Sequence, residues 1–377
     1  MRVLQWYDLF YPYLGGIEKL ALGLLPALAA EGHEFRIVTS HHNLDLPDEA
    51  RFAGIPVRRF PFRRALSGDA AAWRAAQEGA GAMLRDFAPR LVHLQGLGPS
   101  ALFCRRLLGR PGSPPLLVSL HQELGAAQRG AAGGLTREVL SGAAWVSAVS
   151  RGVLEQALAL VPGIAGRSSV VHNFVEDSPL PRQPLPWTPP RLLCLGRTIR
   201  QKGFDLALSA FASLRGRWPG LAMTVAGDGD ERPGLERQAA AAGLAGAVEF
   251  TGGIAPPDVP ALLDRATVVL MPSRVEGFGL VAVEAALRER PIVAAGVGGL
   301  VDVVADGETG LLVPPEDERA LAHAVSRLLA EPPLAVRLGV AARARARDLF
   351  GKEACVRGYA EIYARLGGEL PAAAPEK

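Results

Sequence analysis

At 377 residues the chain is too long for one small hydrophobic core, and its length fits two domains of ordinary size. Hydrophobic residues make up 49% and charged residues 21%, which excludes a disordered or fibrous chain, and the formal net charge of +3 is unremarkable. The three cysteines, Cys104, Cys194 and Cys355, stand far apart with neither CxxC nor Cys/His ligand spacing, so reduced, buried thiols are expected.

The chain opens on an apolar strand, RVLQWY, with no basic segment leading into an apolar core and a small-residue cleavage site, so no signal peptide is read. Gly15 and Gly16 then begin a helix whose apolar positions Leu20, Leu24, Leu25 and Leu28 mark its buried side. Pro26 is expected on the outer side with a local kink. The stretch LALGLLPALAA around it is too short and interrupted to cross a hydrocarbon core, which needs roughly 20 apolar residues. FRIVTS, LVHLQ, LLVSLH and WVSAVS follow as strands separated by helical patterns, an alternation that predicts a parallel sheet flanked by helices. Among them, VRRFPFRRAL interleaves Arg58, Arg59, Arg63 and Arg64 with Phe60 and Phe62, a composition suited to lying against an anionic bilayer. Residues 1–170 carry 18 Lys+Arg against 13 Asp+Glu, so the first half is mildly basic; scattered solvated arginines are the plain alternative. Nucleic acid is a poorer partner, since no recognised binding module accompanies the segment.

DSPLPRQPLPWTPP, Asp177 to Pro190, cannot donate ladder hydrogen bonds at its prolines and reads as an interdomain linker. The expected organisation is therefore a first domain over 1–172, a linker over 173–190, a second domain over 191–352, and a C-terminal helix with a frayed tail, PAAAPEK, over 353–377. The strand-and-helix alternation restarts after the linker with RLLCLG, LAMTVAG, VEFTG, TVVLMPS, PIVAAG and LLVPP. The fold class is thus α/β, with two Rossmann-like, doubly wound domains facing across a cleft where open α/β sheets place their ligands.

Candidate chemistry falls at strand-to-helix turns. In PSRVEGFGLVAVEA, Glu276 and Glu284 are eight residues apart, which on a helix is a rotation of roughly 80° and an advance of about 12 Å. Two carboxylates so placed can hold the two ends of an elongated, hydroxyl-rich ligand. Gly277 and Gly279 flank Phe278 ahead of Leu280 and let backbone N–H groups approach an anion at a helix N-terminus. In LGRTIRQKGFDLAL, Arg197 directly follows a strand and Lys202 precedes a helix, two cations suited to a diphosphate or simply solvated. Gly15 and Gly16 permit close approach of an anion or make a tight turn; they lack the GxGxxG spacing of a dinucleotide site. His121 ends LLVSLH and either bonds a sugar hydroxyl or is structural. Asp228 with Gly229, and Gly298 with Gly299, mark further turns, while His41, His42, His93, His172 and His323 form no metal-ligand grouping.

With GGIE near the start, LGR…KGFD after the linker, DGETGLLV and the two-glutamate motif in that order, the chain resembles the retaining GT-B glycosyltransferases of family four over nearly its whole length. The resemblance implies a transferase moving a sugar, most simply a hexose, from a nucleoside-diphosphate-sugar to an acceptor hydroxyl with retention. It implies a donor held chiefly by the second domain, a carbohydrate or lipid-linked acceptor held by the first, and a C-terminal helix crossing back to the first. By the same resemblance Arg197 and Lys202 bind the donor diphosphate, Glu284 the ribose and Glu276 the transferred sugar, with Phe278, Gly279 and Leu280 lining that site. Gly16 matches a first-domain glycine near the phosphates and His121 a histidine near the sugar. No cofactor and no metal ion are expected. A cytoplasmic role in cell-envelope polysaccharide or glycolipid synthesis fits, with peripheral contact at the inner membrane face; a non-catalytic nucleotide-sugar-binding subunit and a nucleotide-sugar epimerase of the same fold are the alternatives. The chain departs from the pattern at Gln122, where Asp is common after the histidine, at Phe174, where Gly is usual, and at Asp302, in place of a Glu after the glycine pair.

Overall fold

The structure, a computed structural model, describes residues 1–12, 15–41, 44–130 and 133–368; His42 and the tail PAAAPEK lie outside them. The chain divides into two compact units, Met1–Asn173 together with the chain from Lys352 onward, and Phe174–Gly351.

In the first unit the described residues form an eight-stranded sheet from β1 (Arg2–Tyr7), β2 (Glu34–Ser40), β3 (Glu49–Phe52), β4 (Ile55–Phe60), β5 (Leu91–Gln95), β6 (Leu116–Leu120), β7 (Trp145–Ala148) and β8 (Ser168–Val170), in the order β3-β4-β2-β1-β5-β6-β7-β8. All neighbours run parallel except the β3–β4 hairpin. A parallel sheet covered by helices on both faces needs strands that are apolar on both sides, and every residue of β5 and β6 is buried. The helix Gly16–Ala30 buries Leu20, Leu24, Leu25 and Leu28 and leaves Pro26 exposed on its outer face. The last helix, Lys352–Leu366, packs against it and buries Cys355, Tyr359 and Tyr363.

VRRFPFRRAL differs from its reading as a membrane face. Val57 to Phe60 are the end of β4, and Phe60 and Phe62 point into the core, where Phe62 packs on Trp6 and Phe103 at centroid distances of 5.4 and 4.8 Å. Arg59 is also buried, donating to the carbonyls of Pro47 and Tyr11. Arg58 pairs with Glu49 across the hairpin and Arg64 with Asp69, so the segment presents arginines to solvent without the aromatic residues that would enter a bilayer. Phe60 closes the strand and Phe62 opens the short helix Phe62–Leu66, and both rings belong to the core. Among the described residues no helix is long and apolar enough to cross a membrane.

In the second unit the described residues form a six-stranded, fully parallel sheet from β9 (Arg191–Leu195), β10 (Ala222–Ala226), β11 (Val248–Gly252), β12 (Val268–Met271), β13 (Ile292–Ala295) and β14 (Leu311–Val313), ordered β11-β10-β9-β12-β13-β14. Its core includes Leu192, Cys194, Phe204, Phe211, Val225 and Leu270. The three cysteines are free and buried. The Pro-rich segment is held to this unit by two buried arginines: Arg288 donates to the carbonyls of Leu180 and Pro181 while paired with Asp264, and Arg290 donates to those of Gln183 and Pro184. Its carbonyls, freed from any ladder by the prolines, find charged donors instead.

Candidate active site

The strand order of the second sheet reverses between β9 and β12, since the chain passes from β9 to β10 on one side and returns to β12 on the other. The loops leaving these two strands therefore open side by side, the place where doubly wound sheets bind ligands. This topology explains how Lys202 and Glu276, 74 residues apart, meet: Lys202 Nζ donates to Glu276 Oε2 at 2.6 Å, with side chains 20% and 11% exposed. Ser273 Oγ donates to the same oxygen at 3.3 Å.

Each partner is set by its backbone. Lys202 ends a short 3-10 turn, Arg200–Lys202, and Gly203 turns the chain into the helix Phe204–Leu214 at φ 66°, where any Cβ would strike the carbonyl oxygen of Pro272. The two loops are thus in backbone contact at a position only glycine fills. Glu276 is fixed from the other side, its carbonyl accepting from Gly299 N–H at 2.9 Å, and a Cβ at Gly299 would overlap the backbone of Gly277 and Phe278. The Gly298–Gly299 turn is therefore a support beneath the Glu276 loop.

The helix after this loop is Leu280–Leu287. Glu276 lies in the loop and Glu284 on the helix, so the helical count of eight residues does not describe their separation; the chain from Glu276 to Gly279 is not helical. Gly277 and Glu284 are half-buried, Gly279 is buried ahead of the helix, and Phe278 is buried against Phe350 at 5.4 Å. Arg197 is exposed just past β9. Lys202, Glu276 and the residues to Leu280 are brought together, with Glu284 on the adjoining helix and Arg197 on the neighbouring strand end. Lysine and arginine beside a glutamate and a helix N-terminus can hold an anionic ligand that also carries hydroxyls.

Arg274, not singled out from sequence, organises this region. It forms a bidentate pair with Asp205 at 2.8 and 2.8 Å, pairs with Glu316, and donates to the carbonyl of Arg200 at 2.9 Å. Its guanidinium holds the Asp205 carboxyl below its ordinary range. The signal was the acidic residue of KGFD in the first turn of a helix, two positions after glycine. Asp228 has a local role, accepting from Arg232 and from Gly253 N–H at 2.8 and 2.9 Å.

In the first unit, Gly15 caps the helix Gly16–Ala30 and its N–H donates to Glu18 Oε2 at 2.8 Å, so the glutamate of GGIE occupies that donor. Burial raises the Glu18 pKa. His121 lies just past β6, with Nε2 2.7 Å from Gln95 Oε1 at the end of the adjacent β5, and burial pushes its pKa down to about 4. His121, Gly15 and Gly16 belong to this unit, the lysine and glutamates to the other. Among the described residues, no group of three His, Cys, Asp or Glu could hold a metal ion.

Residues 15–174 match the family described as glycosyl transferase 4-like domain, and residues 180–345 the family described as glycosyl transferases group 1. The chain is similar to glycogen synthase of Mycobacterium tuberculosis, 32% identical over 271 residues that cover 68% of this chain and 65% of that protein. It is also similar to the GDP-mannose-dependent alpha-(1-6)-phosphatidylinositol monomannoside mannosyltransferase of Mycolicibacterium smegmatis, 39% identical over 166 residues, 42% of this chain and 44% of the relative. The chain thus matches just under two thirds of the first relative's length and under half of the second's. Among solved structures, sucrose-phosphate synthase from Thermosynechococcus elongatus covers 98% of this chain and 100% of its own at a TM-score of 0.82 and 24% identity. Anabaena HepE, solved with UDP and glucose, covers 97% and 100% at a TM-score of 0.78 and 20% identity. The two family matches together take up most of the chain: its first half belongs to the glycosyl transferase 4-like family and its second half to the glycosyl transferases group 1 family, and its two parallel-sheet units have the GT-B fold.

Proposed function

We propose that the protein transfers a sugar from a nucleoside-diphosphate-sugar to an acceptor hydroxyl with retention of anomeric configuration. The Lys202–Glu276 pair at the switch point of the second sheet carries this reading. Loss of the diphosphate builds negative charge on the leaving group while the sugar becomes oxocarbenium-like. Lys202, held by Glu276 before that charge develops, and Arg197 in the same loop after β9 stabilise it, and a cation fixed in advance costs no reorganisation during the reaction. Glu276 then fixes the sugar hydroxyls rather than attacking the anomeric carbon, Glu284 holds the ribose, and the departing phosphate accepts the proton of the acceptor. No step calls for a metal ion. Phe278, Gly279 and Leu280 line the sugar; within the first unit, Gly15, Gly16 and His121 are the candidates for substrate contacts.

The names of the relatives favour a polysaccharide or glycolipid acceptor, one being a glycogen synthase and another acting on a phosphatidylinositol mannoside. We place the reaction in the cytoplasm, a glycolipid acceptor being met at the inner membrane face. A panel of UDP, GDP and ADP sugars, scored by thermal stabilisation and then by nucleotide release with candidate acceptors, tests the proposal. One donor should stabilise the protein and release its nucleotide only when an acceptor is present. Conversion of the donor sugar without an acceptor, or stabilisation by no donor, would contradict it.

A further inference from the structure

A chain of buried polar side chains runs through the first unit. Gln5, His93, Gln95, Ser119 and Ser147 lie on adjacent central strands, and Tyr363 enters from the last helix; each is at most 6% exposed. Gln5 Nε2 donates to Tyr363 Oη at 2.8 Å, and that hydroxyl lies 2.8 Å from His93 Nδ1. His93 Nε2 lies 2.6 Å from Ser119 Oγ, which lies 2.6 Å from Ser147 Oγ. At the other end Gln5 Oε1 accepts from Gln95 Nε2 at 2.9 Å, which leaves Gln95 Oε1 as an acceptor facing His121 Nε2 at 2.7 Å. A carbonyl oxygen cannot donate, so His121 Nε2 bears the proton and Nδ1 bears a lone pair. Burial holds His121 and His93 below the ordinary histidine range, which keeps both rings neutral at pH 7.

His121 Nδ1 is buried and has no hydrogen-bond partner, and neither has the buried Oδ1 of Asn173, whose side chain interacts with the ring. Buried acceptors left unpaired cost about 1–3 kcal/mol each, so such a pair marks a place for a donor. We infer that Gln95 is a positioning residue which, braced by Gln5, His93 and Tyr363, holds His121 as its neutral Nε2–H tautomer and so leaves Nδ1 to accept a hydrogen bond from a substrate hydroxyl. That the hydroxyl belongs to a sugar rests on the proposed function; the tautomer and its cause do not. The bracing also makes the last helix part of the support of a residue far from it in sequence.

Nitrogen NMR of the full chain labelled at histidine, with His121 assigned by a His121→Gln variant, tests this without substrate. The wild-type signal should be that of a neutral ring protonated at Nε2. Gln95→Leu, which removes the acceptor, should shift His121 to a mixture of tautomers and lower kcat/KM about tenfold, whereas Gln95→Glu, which keeps an acceptor oxygen there, should retain Nε2–H. If Gln95→Leu does not fold, Tyr363→Phe, which keeps the ring and removes the hydroxyl, should give the same drift toward a mixture. A wild-type ring protonated at Nδ1, or an unchanged Nε2–H signal in Gln95→Leu or in Tyr363→Phe, would overturn the inference. If the tautomer behaves as described but no nucleotide-sugar is turned over, the functional reading fails and the positioning role stands.

Discussion

Lys202 and Glu276 show how a site residue can be held in readiness by its counter-charge. At 20% and 11% exposure the pair is shielded enough to be directional, yet open enough for an anion to reach the ammonium. Lys202→Ala should lower kcat/KM by about 10²–10³, the scale for loss of one preorganised electrostatic group, with the circular dichroism spectrum unchanged. Turnover close to wild type would remove Lys202 from the mechanism. His121 gives a second residue-scale prediction through linkage. Its folded-state pKa of about 4 lies below the ordinary 6.5, so between those values the unfolded chain binds the proton that the folded one refuses. Its contribution is therefore intact above about pH 6.5 and is lost as pH falls toward 4, amounting to about 2 kcal/mol between pH 7 and pH 5. Urea unfolding of the wild type and of His121→Gln at the two pH values should show a smaller pH effect in the variant.

Among the elements, the strands were the most legible part of the sequence, because buried parallel strands read as apolar runs bounded by turn residues: RVLQWY, LVHLQ and RLLCLG correspond to β1, β5 and β9. The β3–β4 hairpin was not, because VRRFPFRRAL has a composition that suits a membrane face equally well, and only the packing of the strand end and of the short helix after it shows that Phe60 and Phe62 face inward. The Pro-rich segment was legible as non-sheet but not in its attachment, since the arginines that hold it, Arg288 and Arg290, lie about a hundred residues later. That clamp has an energetic consequence. Arg288 is 2% exposed and Asp264 9%, so Arg288→Met would leave a buried carboxylate without its counter-charge, and one-sided removal of such a partner costs about 3–5 kcal/mol. Thermal unfolding should show a markedly lower midpoint, and Arg288→Met combined with Asp264→Leu should recover part of it; an unchanged midpoint in the single variant would show that the pair contributes nothing.

For the whole molecule, two parallel sheets were predictable from alternation alone, whereas the meeting of the KGFD turn with the EGFG loop was not. Sequence supplied Lys202 and Glu276 as candidates, but their contact depends on β9 and β12 lying side by side, a consequence of strand order that no local pattern carries. Arg274 and Gln95 escaped notice for a related reason: each acts on a neighbour brought close by the sheet, not by the chain. If this switch point holds the donor's nucleoside diphosphate, calorimetric titration of the preferred nucleoside diphosphate into wild type, Lys202→Ala and Glu284→Gln should show affinity falling about tenfold or more in each variant, the loss of one charge-assisted contact being about 1.5–3 kcal/mol; equal affinity in all three proteins would place the diphosphate elsewhere.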